Sequence, residues 1–201
     1  NGMFLKKNLK FLFIFAFLLF IGCEENNKKI EIGGSFELTN HLGEEVTNES
    51  FKNNYRLVFF GFTNCPDFCP NTLYKIGAII ENVNKKNQLV PIFITVDPER
   101  DTVSKLKTYL TNFHPKIIGL TGTNDQIENI KKKYKIFSKK VMDMKKEDDN
   151  STNHHDGHDH GGYGVDHTTI IYLMDKKGNY ITHFSPDTSN LEMSKKINQY
   201  L

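Results

Sequence analysis

An apolar run, Arg56-Leu-Val-Phe-Phe-Gly-Phe62, leads within three residues into the loop Cys65-Pro-Asp-Phe-Cys-Pro70. A continuous apolar stretch of this kind is the pattern of a strand covered on both faces. Pro70 suits the first turn of a helix, where its missing N–H costs nothing. Leu73, Ile76, Ile79, Ile80 and Val83 then follow at helical spacing. The chain must therefore bury a strand, turn at two cysteines and leave along a helix. That beginning belongs to a βαβ unit.

The rest of the chain repeats the alternation. Ile32 to Gly43, within residues 30–47, carries the alternation and turn residues of a short β-hairpin. Leu89 to Val96 reads as a strand ended by Asp97-Pro98, Thr102 to Phe113 as a helix, and Ile117 to Leu120 as a short strand. Asn124 or Asp125 is expected to cap a helix carrying Ile127 and Ile130. Thr168–Met174 and Tyr180–Phe184 are expected to pair about the turn Asp175–Asn179, and Leu191 to Tyr200 closes the chain as a helix. Helices between strands predict a three-layer α/β/α sandwich with an N-terminal β-hairpin. The βαβ start with its two cysteines and the terminal ββα resemble the thioredoxin fold. One stretch breaks the pattern: residues 142–164 are polar and His-rich, a functional or disordered loop.

With 26 basic and 24 acidic side chains the formal charge is +2, which argues against a nucleic-acid binder held by bulk charge. Three cysteines are too few for a secreted disulfide scaffold, and Cys23 has its own explanation. Lys6, Lys7 and Lys10 precede a twelve-residue apolar run, Phe11–Gly22. A bilayer span needs about 20 apolar residues, so residues 1–22 fit a signal segment better. Leu19-Phe-Ile-Gly-Cys23 resembles a bacterial lipoprotein cleavage site, with Cys23 as the lipidated residue. An uncleaved signal anchor is the alternative. Residues 23–30 are then a polar tether, and 31–201 the folded domain. Either reading puts the domain outside the cytoplasm at a membrane face.

The chemistry centres on Cys65 and Cys69. A thiolate, rather than a thiol, binds metal and attacks disulfides, and a helix N-terminus favours its negative charge. A C-x3-C spacing allows either a shared metal or a disulfide, so the pair is a candidate redox couple as well as a ligand pair. The third candidate is His167, in Val165-Asp-His-Thr-Thr169. In thioredoxin-like proteins the corresponding turn faces the cysteines and carries a proline, whereas here no proline lies between Pro115 and Pro186. An imidazole opposite two thiols makes a soft site suited to Cu(I), and to Cu(II) through the imidazole. Zn(II) can also bind, although a structural zinc normally has a fourth protein ligand.

Phe59-Phe-Gly-Phe-Thr-Asn-Cys-Pro-Asp-Phe-Cys-Pro70, Phe93-Ile-Thr-Val-Asp-Pro-Glu-Arg-Asp101 and Val165-Asp-His-Thr-Thr-Ile-Ile-Tyr-Leu-Met174 together resemble the Sco family (SenC and PrrC in bacteria). The resemblance implies a copper site of Cys65, Cys69 and His167, membrane attachment, and a periplasmic domain. It implies a metallochaperone that delivers copper to the binuclear copper site of a cytochrome c oxidase subunit and meets other periplasmic copper carriers. It equally allows a thiol–disulfide reductase that keeps that subunit's cysteines reduced. A peroxidase related to the peroxiredoxins, which share the fold, is a further alternative. Asp97 is expected near the site but not as a ligand. His154, His155, His158 and His160, with Asp156 and Asp159, lie outside the shared pattern. They read either as a solvated insertion or as an auxiliary capture tract for Cu(II), Ni(II) or Zn(II). His41, His114 and His183 are expected as ordinary surface or packing residues.

Overall fold

A computed structural model describes residues 31–142 and 163–201. The expected signal segment, Cys23, the tether and the histidine tract lie outside the described residues. Strands β1 (Glu37–Asn40) and β2 (Glu45–Thr47) form the expected antiparallel hairpin. Its turn is closed by the Asn40 side-chain oxygen, which accepts from the amides of Leu42 and Glu44. Strand β3 (Tyr55–Gly61) leads to helix α1 (Phe68–Asn82), then β4 (Leu89–Thr95), α2 (Val103–Leu110), β5 (Ile118–Thr121) and α3 (Asn124–Tyr134). After a ribbon, β6 (Ser138–Met142) and β7 (Tyr163–His167), the chain ends in β8 (Ile171–Met174), β9 (Tyr180–Phe184) and α4 (Asn190–Asn198).

The main sheet runs β2-β1-β5-β4-β3-β8-β9. Its centre, β5-β4-β3, is parallel, and β1 and β8 join on either side antiparallel. The apolar run of β3 is covered twice, as its composition requires. Phe59 packs on Phe93, which meets Tyr109 of α2, while Phe60 packs on Tyr134 of α3. Leu57, Val58, Phe59 and Phe60 are at most 1 % exposed. Full burial of each such side chain contributes about 1.5–3 kcal/mol. Helices on both faces give the thioredoxin-like α/β/α sandwich.

Two local expectations are corrected. Thr123, rather than Asn124 or Asp125, caps α3. Its hydroxyl accepts from the Gln126 amide at 3.3 Å, and the Gln126 side chain accepts from the Thr123 amide at 2.8 Å. This reciprocal box satisfies two orphan donors at once. The second correction is the ribbon. Strand β8 starts at Ile171 rather than Thr168, and residues 163–167 pair instead with 138–142, from Ser138↔His167 to Met142↔Tyr163. The ends of the expected loop 142–164 are therefore strand. Both segments are polar and mostly without apolar alternation, so neither carried a strand signal.

Candidate functional site

The cysteine loop leaves the carboxyl end of β3, where open α/β sheets place their ligand crevices. The Cys65 amide donates to the Phe62 carbonyl, closing a turn. The chain then enters α1, whose first turn contains Cys69 and Pro70. The Cys69 amide, one of the orphan donors of that helix end, donates to the Cys65 sulfur at 3.4 Å. Cys65 Sγ thus occupies the position of a cap, with the helix dipole behind it.

His167 ends β7 and is half-buried. Its Nδ1 lies 2.9 Å from the Thr168 carbonyl oxygen. A carbonyl can only accept, so Nδ1 carries the proton and, in the neutral ring, Nε2 holds the lone pair. Nε2 is 3.7 Å from the Cys69 sulfur. The rings of Phe62 and Phe59 stand edge-on to the imidazole and restrict its swing. The side chains separated by 98 positions in sequence are therefore neighbours.

The two thiols are unequal. Cys65 is held down to about 4, chiefly by a hydrogen bond from Cys69, against a desolvation penalty, with His167 and the Cys69 and Asp67 amides adding to the effect. Cys69 is fully buried and pushed up, first by donating to Cys65, then by burial and the neighbouring thiolate. The less buried Cys65 is favoured as the thiolate and the buried Cys69 as the thiol. Two thiols held in this way are able to form a disulfide or to share a soft metal ion.

Among the described residues, no three Cys, His, Asp or Glu side chains are drawn in as a group that could hold a metal ion. Cys65, Cys69 and His167 are instead spaced as hydrogen-bonding neighbours. The donors nonetheless suit a soft cation of low coordination number. With metal–sulfur and metal–imidazole bonds of about 2.3 and 2.0 Å, two ligands on one ion lie roughly 3.5–3.7 Å apart. The observed 3.7 Å falls within that span.

Asp97 is almost fully buried. Its carboxylate accepts from the Arg100 Nε–H and, at 2.8 Å, from the Tyr163 hydroxyl. His41 accepts from the Gly119 amide, His114 faces Glu81, and His183 meets the Tyr180 hydroxyl. Sequence reasoning missed three supporting residues. A Cβ on Gly61 would stand 2.7 Å from both the Cys69 sulfur and Phe93 Cε2. A glycine inside a bulky strand is the available signal for such a close approach. Thr63 and Asp101 form the other support. The fully buried Asp101 carboxylate accepts from the Thr63 amide at 3.0 Å, the Thr63 hydroxyl at 2.5 Å and the Thr95 hydroxyl at 2.6 Å. No local pattern pairs those residues.

The sequence model described as SCO1/SenC matches residues 24–201. An SCO2-like protein of Rickettsia conorii is 43 % identical over 165 residues, 82 % of this chain and 74 % of that protein. The structure is similar to Bradyrhizobium japonicum ScoI with copper bound, at 37 % identity and a TM-score of 0.71, covering 85 % of this chain and 99 % of that one. It is also similar to Arabidopsis thaliana ScoI with copper bound, at 33 % identity and a TM-score of 0.72, covering 84 % and 97 %.

Proposed function

The chain belongs to the SCO1/SenC family, and on that premise we propose that it is a membrane-attached copper metallochaperone. Cys65, Cys69 and His167 hold Cu(I) or Cu(II) as cargo for the binuclear copper site of a cytochrome c oxidase subunit, received from other periplasmic carriers. The observation that carries this reading is His167 Nε2, the ring nitrogen left facing the thiols once Nδ1 is taken by the Thr168 carbonyl, standing 3.7 Å from the Cys69 sulfur. The copper-bound relatives support it at the level of the family. Oxidation of the two sulfurs to a Cys65–Cys69 disulfide passes two electrons to an acceptor and removes both sulfur ligands, so retention of copper is tied to the reduced state. The domain faces the periplasm, attached through lipidated Cys23 or an uncleaved signal anchor. The tract His154–His160 serves as an auxiliary collector of divalent metal.

The test is titration of the reduced protein, lacking residues 150–162, with Cu(I) and Cu(II). One equivalent of each, with a sulfur-to-copper absorption band lost in Cys65→Ser, Cys69→Ser or His167→Ala, is the expected result. Tight Cu(II) binding retained by His167→Ala overturns the three-ligand assignment. The unequal thiols favour a second reading, a thiol–disulfide reductase for the oxidase copper-site cysteines. It needs only Cys65 and Cys69. Full turnover of a disulfide substrate by His167→Ala, without stoichiometric copper binding by the unaltered protein, selects it.

A further inference from the structure

The cysteine loop and His167 are held by different elements. The loop extends β3 of the main sheet, whereas His167 ends a two-stranded ribbon that forms a sheet of its own. The main-sheet pairing of β3 with β8 stops at Phe59↔Ile171, short of both the cysteines and His167, so those hydrogen bonds alone do not set the distance between them and other structure contributes.

The five residues after β4 and Val96 touch both sides. Towards the ribbon, Asp97 accepts from the Tyr163 hydroxyl at 2.8 Å, and Arg100 Nη1 donates to the Tyr163 carbonyl at 2.9 Å. The same guanidinium lies 3.7 Å from the centre of the Tyr163 ring. Lys140 of β6 adds a bond to Glu99 at 2.6 Å. Towards the cysteines, Asp101 takes both the amide and the hydroxyl of Thr63. The turn is stiff. The amides of Arg100 and Asp101 both donate to the Asp97 carbonyl, and the Asp97 amide donates to Thr95 Oγ1. Both aspartates are at most 1 % exposed, so opening either contact leaves a buried carboxylate short of a donor, which is unfavourable.

We propose that the Asp97–Asp101 turn is a bracket that sets the spacing between the cysteine loop and His167. Tyr163 is its positioning residue on the histidine side and Thr63 on the cysteine side. Neither touches the cargo. Tyr163 acts through the ribbon that carries His167 at its other end, and Thr63 through the turn that carries Cys65. Arg100 also lies 5.9 Å from the centre of the Phe62 ring, whose edge-on contact limits the imidazole. The bracket thus reaches the histidine by two routes. Groups hydrogen-bonded directly to a ligand typically change metal affinity by roughly 10- to 100-fold, and this bracket acts at one further remove.

The assignment rests on the proposed copper site for one readout and is independent of it for another. The full chain in detergent is compared with Tyr163→Phe, Thr63→Val and Thr63→Ser. In the reduced, metal-free protein, proton cross-relaxation between Cys69 Hβ and His167 Hε1 reports the spacing directly. Tyr163→Phe is expected to weaken that cross-peak, to lower Cu(II) affinity by up to roughly 10-fold and to shift the sulfur-to-copper band. Its dithiol–disulfide equilibrium with glutathione is followed in the same samples. Thr63→Val moves that equilibrium and the copper affinity together, and Thr63→Ser restores both. A Tyr163→Phe protein with the wild-type cross-peak and the wild-type copper titration overturns the bracket. Absence of the sulfur-to-copper band in the unaltered protein overturns the copper reading instead, and the cross-peak still decides the bracket. Should Tyr163→Phe fail to fold, Arg100→Lys is judged by the same criteria, since it keeps a cation beside Asp97 and loses the fork to Tyr163.

Discussion

Gly61→Ala adds a single methyl group where the structure has no room for one. The new carbon would lie 2.7 Å from the Cys69 sulfur, 2.7 Å from Phe93 Cε2 and 3.2 Å from Phe59 Cε1. Reaching an ordinary contact of about 3.5 Å requires roughly 0.8 Å of retreat on two sides at once. Phe93, Phe59 and Cys69 are all fully buried, so the strain is shared and Cys69 must give way together with Phe93. Overpacking of this kind costs about 1–3 kcal/mol. With a urea dependence of about 2 kcal/mol per molar, the unfolding midpoint of the reduced protein falls by roughly 0.5–1.5 M. Displacing the Cys69 sulfur also disturbs its 3.7 Å approach to His167 Nε2. The sulfur-to-copper absorption of Gly61→Ala is therefore expected to shift or weaken even in protein that remains folded. Urea titration followed by circular dichroism and a Cu(II) titration give the two numbers. A variant with an unchanged midpoint and an unchanged band refutes the claim that Gly61 makes room for Cys69.

Two further predictions concern charge and hydrogen bonding. Because Cys65 is held down to about 4, its alkylation by iodoacetamide should be nearly independent of pH between about 5.5 and 8 and should fall off only as the pH approaches 4. A rate still rising through pH 8 contradicts the assignment of Cys65 as the thiolate. The sign for stability follows from the lowered value. This group's contribution is fully present above the ordinary thiol pKa of about 8.5, shrinks as the pH falls, and is gone below about 4. Asp101→Ala leaves three donors, the Thr63 amide and the Thr63 and Thr95 hydroxyls, without their acceptor. Only the Thr95 hydroxyl is fully buried, the Thr63 groups being part-buried, so a loss of about 1–3 kcal/mol is expected. A denaturation midpoint within error of the parent counts against it.

How much was legible depends on how local each determinant is. The covering of β3 on both faces could be read from Leu57–Phe60, because burial on two sides leaves no polar alternation. The cysteine loop and the start of α1 were legible from Pro70 and the helical spacing behind it. The turn Asp175–Asn179 was legible too, and its Asp175 carboxylate accepts from the Lys177 and Asn179 amides. The cap at Thr123 was missed because three adjacent residues can each cap a helix. The reciprocal bond with Gln126 decides among them. The β6–β7 ribbon was missed because Ser138-Lys-Lys and Asp166-His167 bury no common face, so there is no hydrophobic period to detect.

By itself the sequence determined every main-sheet strand and the four helices in their order, the two-cysteine turn at the end of a buried strand, and the resemblance that singled out His167. These are properties of neighbouring residues, set by side-chain burial and backbone preference within a few positions. Only the tertiary structure decided that Nε2, rather than Nδ1, faces Cys69, because that depends on the Thr168 carbonyl taking the other ring proton. It also decided which thiol is acidic. The asymmetry arises first from the hydrogen bond between the two sulfurs, then from the burial of Cys69, with the Cys69 amide at the helix end adding to the hold on Cys65. Contacts across 98 positions are fixed by sheet register and by the Asp97–Asp101 turn, and no local pattern in the chain encodes that distance.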